Sequence, residues 1–340
     1  MSKFGNKISI LGSGAWANTL ACHFARNFDI LMWDYKAERV ELVSKTRKFD
    51  RPKEGLFPDS VQFTADLKEA LDFSDYIFSV VPMKGILELS HKIKEINKVK
   101  TLSGKGNHSA KKIIINCSKG IEQEALKTPS EIFAENLDDF QIASLSGPNL
   151  ALEVLAGEPM ISSIASSELS LSQGLQSLFS DHRLRLYASD DLLGVEFCGA
   201  VKNVIAIAAG ASDGLGFGAS TKASLITRAL NEMKELIKVK GCQEETLYTA
   251  AGLGDLIATS NSELSRNYRV GYFLAQNYSL DEIYQKINAS TEGVSTAFAL
   301  KKLASSENLR IPICLEVADM LSGSKNPAQA VDSLMSRKIN

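Results

Sequence analysis

Cysteine is scarce and unpatterned in this 340-residue chain: Cys22, Cys117, Cys198, Cys242 and Cys314 are odd in number, widely scattered and without a CxxC pair. They supply neither a disulfide framework nor a thiolate motif for zinc or redox work, so a reducing, cytoplasmic setting and no metal site are expected. Histidine is scarcer still, at four residues, which leaves little of the usual near-neutral acid and base chemistry. Neither charge sign dominates. With 38 Lys and Arg against 40 Asp and Glu, the net charge of −2 gives no general attraction to nucleic acid or an anionic membrane, and an anionic ligand must be held locally. The apolar run after MSKFGNK ends at Gly12, too early for a secretory leader. Only Leu192 to Ala211 has the length of a membrane span, but it contains Glu196 and Lys202, and each would cost about 2.5–3.5 kcal/mol near a bilayer centre. A helix buried within the protein, with partners for both charges, is expected instead of a membrane span.

What is present is an ordinary globular composition, 44% hydrophobic and 23% charged, over a length that suits two domains. A short apolar run from Lys7, glycines, a helical segment from Ala15 to Asn27 and a second apolar run from Ile30 to Trp33 form a β-α-β unit. Further buried-strand patterns occur at Tyr76 to Val81, Lys112 to Cys117, Gln141 to Leu145, Met160 to Ala165 and Arg185 to Ala188. Their separations fit the crossovers of a parallel sheet. The polar interval from Thr46 to Phe63, with Pro52 and Pro58, reads as a surface excursion. Strand signals fade near residue 190, after which helical patterns alternate with the Gly-rich breaks GASDGLGFGAS, AGLGDL and TEGVST. The expected fold is α/β: a doubly wound Rossmann-type domain over residues 1–189, then an all-helical domain over residues 190–340.

The segment GSGAWA follows a strand and opens a helix, the context in which a G-x-G-x-x-G/A pattern cradles a dinucleotide pyrophosphate. Gly12 permits the tight turn, Gly14 lets the backbone approach phosphate, Ala17 permits close helix packing, and free helix N–H groups face the anion. A Gly-rich turn without a ligand is the alternative. Asp34 ends the second strand, 22 positions beyond Gly12, where a carboxylate binds a ribose 2′-hydroxyl and favours NAD over NADP. Lys36 and Arg39 stand close enough in sequence to neutralise a 2′-phosphate, so the choice between cofactors stays open.

The histidines are poor candidates for moving a proton: His23 and His91 fall in helices, His108 in a polar loop and His182 beside Asp181 and Arg183, with none in the second domain. Lys202 interrupts the apolar helix FCGAVKNVIAIAAG, and burial lowers a lysine pKa towards the range of a general base or acid. A lysine that snorkels to the surface is the alternative. Asp255 can fix that lysine or cap a helix, and Arg266 with Asn267 can fork onto a phosphate or simply open a helix. Glu292 lies in a third polar block, and Lys119 follows a strand at the edge where open α/β sheets present ligand contacts.

These blocks, in order GSGAWANTLA, CSKGIE, SGPNLALEV, CGAVKNVIAIAAGASDGLGFG, AGLGDL and LSRNYRVG, resemble those of bacterial NAD(P)-dependent glycerol-3-phosphate dehydrogenases over nearly the whole chain. The resemblance implies NAD(P)(H) as cofactor and reversible reduction of dihydroxyacetone phosphate to sn-glycerol 3-phosphate for phospholipid synthesis, in a cytoplasmic enzyme; the sequence leaves the oligomeric state open, with a homodimer as one alternative. It makes Lys202 the proton acceptor and assigns Lys119, Gly147, Asn149, Lys202, Asp255, Ser265, Arg266 and Asn267 to substrate. It places Gly12, Ser13, Gly14, Ala15, Trp16, Asp34, Tyr35, Lys119, Ala151, Arg266 and Glu292 near the dinucleotide. Three positions depart from the family pattern: Ala15 replaces the usual serine, Ala17 the third glycine, and GPNLA the commoner GPSFA or GPTFA. Tyr35 follows Asp34 where the family often carries Arg or His. On residues alone, another two-domain hydroxy-acid dehydrogenase and a non-catalytic dinucleotide sensor remain alternatives.

Overall fold

The computed structural model describes residues 6–102, 111–288 and 291–337; His108 lies outside them. Eight strands form one sheet: β1 (Lys7–Leu11), β2 (Asp29–Trp33), β3 (Val61–Thr64), β4 (Tyr76–Ser79), β5 (Lys112–Asn116), β6 (Phe140–Ser146), β7 (Met160–Ser166) and β8 (Leu184–Ser189). Their spatial order is β3-β2-β1-β4-β5-β6-β7-β8. The first six strands are parallel neighbours, in the order of a Rossmann dinucleotide fold. Helices cover both faces, so the central strands are apolar without alternation, and Ile8, Ile10, Ile30, Ile77, Phe78, Ile114 and Ile115 are buried.

Two strand assignments differ from the sequence pattern. The interval Thr46 to Phe63 is not only an excursion: it contains a small hairpin, Lys48–Phe49 against Gly55–Leu56, and runs into the edge strand β3. As an edge, β3 keeps one half-exposed side, so its residues VQFT lack the apolar run of the inner strands. The sheet is also not wholly parallel, because β7 runs antiparallel to β6, which turns the chain back before the helical half.

After β8 the described residues form helices only. The helix Leu192–Gly214 runs through the middle of this half, and every residue from Gly194 to Ser212 is buried. Its apolar length is therefore that of a core helix. Helices Arg266–Ala275 and Glu292–Glu307 pack against it. The Arg266–Ala275 contact is unusually close: a Cβ on Gly271 would stand 1.8 Å from the Ile207 carbonyl oxygen, and one on Gly210 1.9 Å from that of Tyr268. Only glycine lets the two backbones meet, and this contact sets Arg266 and Asn267 beside the Lys202 segment. Gly271→Ala forces the helices apart and is expected to lower unfolding free energy by about 3 kcal/mol, the upper end for overpacking. Urea denaturation checks this, and an unchanged midpoint would remove the close contact as a constraint.

Candidate functional site

Lys202 sits on the inner face of the central helix with 7% of its surface exposed, so it does not snorkel. Its Nζ donates to Asp255 Oδ1 at 2.9 Å and to Thr259 Oγ1 at 2.7 Å. Thr259 in turn donates to the same carboxylate oxygen at 3.1 Å. Asp255 and Thr259 lie four residues apart on helix Asp255–Ser260 and so share a face. The segment AGLGDL, expected as a break, runs from a single π turn, Ala250–Gly254, directly into that helix. Asp255 is consequently the first residue inside the helix rather than its cap, and its side chain is free to turn to the lysines.

Lys119 reaches the same carboxylate from the sheet. It follows β5, donates to the Gly147 carbonyl at 3.2 Å and pairs with Asp255 Oδ2. One buried carboxylate thus bridges two ammonium groups. Burial pushes the Lys202 pKa down to about 8, with Asp255 pulling it up and Lys119 pressing it further down. Burial alone would raise the Asp255 carboxyl, but the Lys119 and Lys202 charges together hold it below the ordinary carboxylate range.

Around this cluster the other expected residues take distinct places. Asn267 Nδ2 donates to Asn203 Oδ1 at 2.8 Å, and its Oδ1 accepts from the Gly293 amide at 3.0 Å. That pair of bonds joins three helices beside Lys202. Glu292 Oε1 accepts from the Met83 amide at 3.2 Å, so the helical half touches the turn after β4 next to Gly120. Ser265 caps its helix by accepting from the Tyr268 amide at 3.2 Å, and Arg266, the first helical residue, is exposed. Asn149 turns to the sheet, donating to Ser162 Oγ at 2.5 Å, while its Oδ1 is buried without a partner.

A second group lies at the ends of β1 and β2. Gly12 has φ +124°, and a Cβ there would meet the Val80 carbonyl oxygen at 2.6 Å, whereas nothing stands within 4 Å of a Cβ on Gly14. Gly14 opens helix Ala15–Phe24 without a side-chain cap, which leaves its first amides free for an anion. Ala17 is fully buried, and Thr19 ties this helix to Ala151 through its carbonyl at 3.2 Å. Trp16 is half-buried beside Ala15. Asp34 accepts from Ser13 Oγ, from Arg39 Nη1 at 3.0 Å and from the Lys36 amide at 2.8 Å, and Tyr35 is 69% exposed. A cavity of about 800 Å³ opens here, lined by Ser13, Gly14, Asp34, Arg39, Arg51 and Phe57 among others. The donors, the open face of Gly14 and the strand-end carboxylate fit a dinucleotide.

The described histidines, His23, His91 and His182, make no contact with either group. His23 is buried with Asp181 at 3.1 Å, its pKa lowered by burial, and His91 is exposed. Thr259 was missed by sequence reasoning; its signal was the four-residue spacing from Asp255.

Two family models cover the chain: the N-terminal part of NAD-dependent glycerol-3-phosphate dehydrogenase matches residues 7–172, and the C-terminal part matches residues 191–332. Glycerol-3-phosphate dehydrogenase [NAD(P)+] of Fusobacterium nucleatum is 38% identical, with 97% of each chain covered. That of a Thermoanaerobacter species is 37% identical over the same shares. The crystal structure of glycerol-3-phosphate dehydrogenase from Coxiella burnetii superposes with a TM-score of 0.90 at 34% identity, covering 98% of this chain and all of that one. With both halves matched and the fold shared end to end, the chain belongs to the NAD-dependent glycerol-3-phosphate dehydrogenase family.

Proposed function

We propose that this chain is an NAD(P)-dependent oxidoreductase that reduces dihydroxyacetone phosphate reversibly to sn-glycerol 3-phosphate, the backbone of phospholipids. The observation that carries the reading is the buried Lys202 ammonium, held by Asp255 and Thr259 at the C-terminal edge of a dinucleotide-binding sheet. When bound, the nicotinamide dinucleotide supplies or accepts the hydride. Gly12, Ser13, Gly14, Ala15 and Trp16 would hold its pyrophosphate side, Asp34 and Tyr35 its ribose and adenine side, and Ala151 and Glu292 would line its course.

Lys202 carries the proton. In reduction its ammonium donates to the ketone oxygen as that oxygen gains negative charge; in oxidation the neutral amine takes the hydroxyl proton. Asp255 orients Lys202 and offsets one of the two ammonium charges while Lys119 offers a second donor for the oxygen. Arg266 and Asn267 would hold the substrate phosphate, the arginine by a forked pair of charge-assisted bonds. Gly147, Asn149 and Ser265 would shape the rest of the substrate pocket. Residues 1–189 then form the cofactor domain and residues 190–340 the substrate domain. All five cysteines are unpaired, which supports the cytoplasmic setting. No nucleic-acid partner enters this reading.

Lys202→Ala is expected to lower kcat about 10²- to 10⁴-fold, the usual range for a lost acid or base, while dinucleotide still quenches protein fluorescence. In the unaltered protein kcat/KM for reduction falls as pH rises through about 8, where the ammonium loses its proton, and oxidation gains over the same range. Turnover of Lys202→Ala near that of the parent would remove Lys202 from the mechanism.

Two arginines separate the ends of the site. Arg266→Ala raises KM for dihydroxyacetone phosphate about 10- to 100-fold, as loss of hydrogen bonds to a charged group implies, with the dinucleotide KM changed less. Arg39→Ala raises KM for NADPH more than for NADH, because Arg39 is the cation beside Asp34. Equal effects on both substrates from either change would contradict these placements.

The proposal includes a homodimer, with the exposed apolar Phe217, Ile257 and Leu264 as candidate contacts. Sedimentation equilibrium is expected to give twice the 37.0 kDa chain mass, and a single-chain mass at every concentration refutes it.

A further inference from the structure

Glu196 is buried on the central helix, six residues before Lys202, with 4% of its surface exposed. Its Oε1 accepts from Asn116 Nδ2 at 2.7 Å and Ser144 Oγ at 3.0 Å, and its Oε2 from the Ser130 amide at 3.1 Å and Ser130 Oγ at 2.7 Å. Four donors satisfy this carboxylate, and among the described residues no cation pairs with it. Burying a carboxylate in this way is costly even when hydrogen-bonded, and an apolar side chain would fix a helix against a sheet more cheaply. Such a side chain could not hold the Asn116 amide in one orientation.

Asn116 is where β5 ends and the segment carrying Lys119 begins. Its Nδ2 also donates to the Ser118 carbonyl at 3.0 Å, and its Oδ1 accepts from the Ser118 amide at 3.0 Å. These bonds fold the strand end into the turn from which Lys119 departs. The aliphatic stem of Lys119 then crosses the central helix at Gly199, where a Cβ would stand 3.5 Å from Lys119 Cγ. Beyond that point its Nζ meets the Gly147 carbonyl and Asp255. Glu196, Gly199 and Lys202 therefore lie at successive three-residue steps of one helix and meet, in turn, the start, the stem and the common carboxylate partner of Lys119.

We propose that Glu196 is a positioning residue for both lysines: by holding Asn116 it aims Lys119 at Asp255, and so sets the electrostatic surroundings in which Lys202 exchanges its proton. The inference rests on the dehydrogenase reading for its kinetic readout. The charged groups facing Lys202 are Asp255 from helix Asp255–Ser260 and Lys119 from the sheet. Misplacing Lys119 removes a like charge from Lys202 and leaves Asp255 to stabilise the ammonium, so the lysine titrates at higher pH.

Three variants test this. Glu196→Gln places an amide donor among donors, Asn116→Ala cuts the link to Lys119, and Ser130→Ala removes a Glu196 partner that does not lead to Lys119. In Glu196→Gln and Asn116→Ala the alkaline limb of kcat/KM for reduction is expected to move up by about one pH unit. Their kcat falls about tenfold or more, as positioned groups are displaced, and the dissociation constant for dinucleotide stays within about twofold. Ser130→Ala lowers the melting temperature but leaves the limb in place. The titration of the Lys202 Cε signal in ¹³C-lysine-labelled protein, assigned with Lys202→Arg, reports the same shift without turnover. Failure of the unaltered protein to reduce dihydroxyacetone phosphate would sink the dehydrogenase reading, and the Cε titration then decides this one. A limb and a Cε titration that coincide with those of the unaltered protein in both Glu196→Gln and Asn116→Ala overturn the proposal. If Glu196→Gln does not fold, Asn116→Ala decides alone.

Discussion

Two ammonium groups share one carboxylate in a space from which most water has been removed, and the placement of the surrounding elements can be read as the means of holding that arrangement. Asp255 has 2% of its surface exposed. An isolated charge there would shed its proton or bind one, and removing one partner of such a buried pair typically costs about 3–5 kcal/mol because the other charge is stranded. The pair Lys202–Asp255 is tied within the helical half, whereas Lys119 arrives from the sheet. The cluster therefore forms only when both halves of the chain have folded and met. The pairing of the two lysines and the packing of the two halves are coupled through a single side chain.

The central helix is the element that makes this meeting rigid. On one side glycines let helix Arg266–Ala275 approach to backbone contact; on another, Asn203 joins Asn267 and through it Gly293. Glu196 fastens a third side to β5, β6 and the helix that starts at Pro129. A helix held on three sides can present a lysine at a defined point without a bound ligand to organise it. With Lys202 as the proposed proton carrier, that would lower the reorganisation left for the moment of reaction.

The inner strands and the glycine turn were legible because burial on both faces imposes a continuous apolar run and because phosphate approach demands glycine. The edge strand β3 was not, since half its surface faces solvent and VQFT has too little apolar content to stand out from the prolines before it. The antiparallel step into β7 leaves no trace in composition: a buried strand reads alike in either direction. In the site, Lys202 was legible as a charge inside an apolar helix, but its partners were separate polar residues until the fold joined them. Asp255 looked equally like a cap because the π turn before it, built from AAGLG, resembles a break in sequence. Thr259 carried only a spacing, and the contact between Glu292 and Met83 spans 209 positions, a separation that no local pattern encodes.

The cofactor end shows how a familiar sequence rule changes once partners are known. A carboxylate at the end of β2 disfavours a 2′-phosphate when it is free, through like-charge repulsion. Here Asp34 is occupied on one oxygen by Ser13 and Arg39 and on the other by the Lys36 amide. Its negative charge is already opposed by a guanidinium whose side chain is 49% exposed and can exchange partners at low cost. In the proposed placement a ribose hydroxyl would compete with Ser13 for the carboxylate, while a 2′-phosphate would compete with the carboxylate for Arg39. Each dinucleotide would displace one bond and gain another. The Asp34–Arg39 pair would then work as an exchangeable partner set, in keeping with relatives that carry both cofactors in their name.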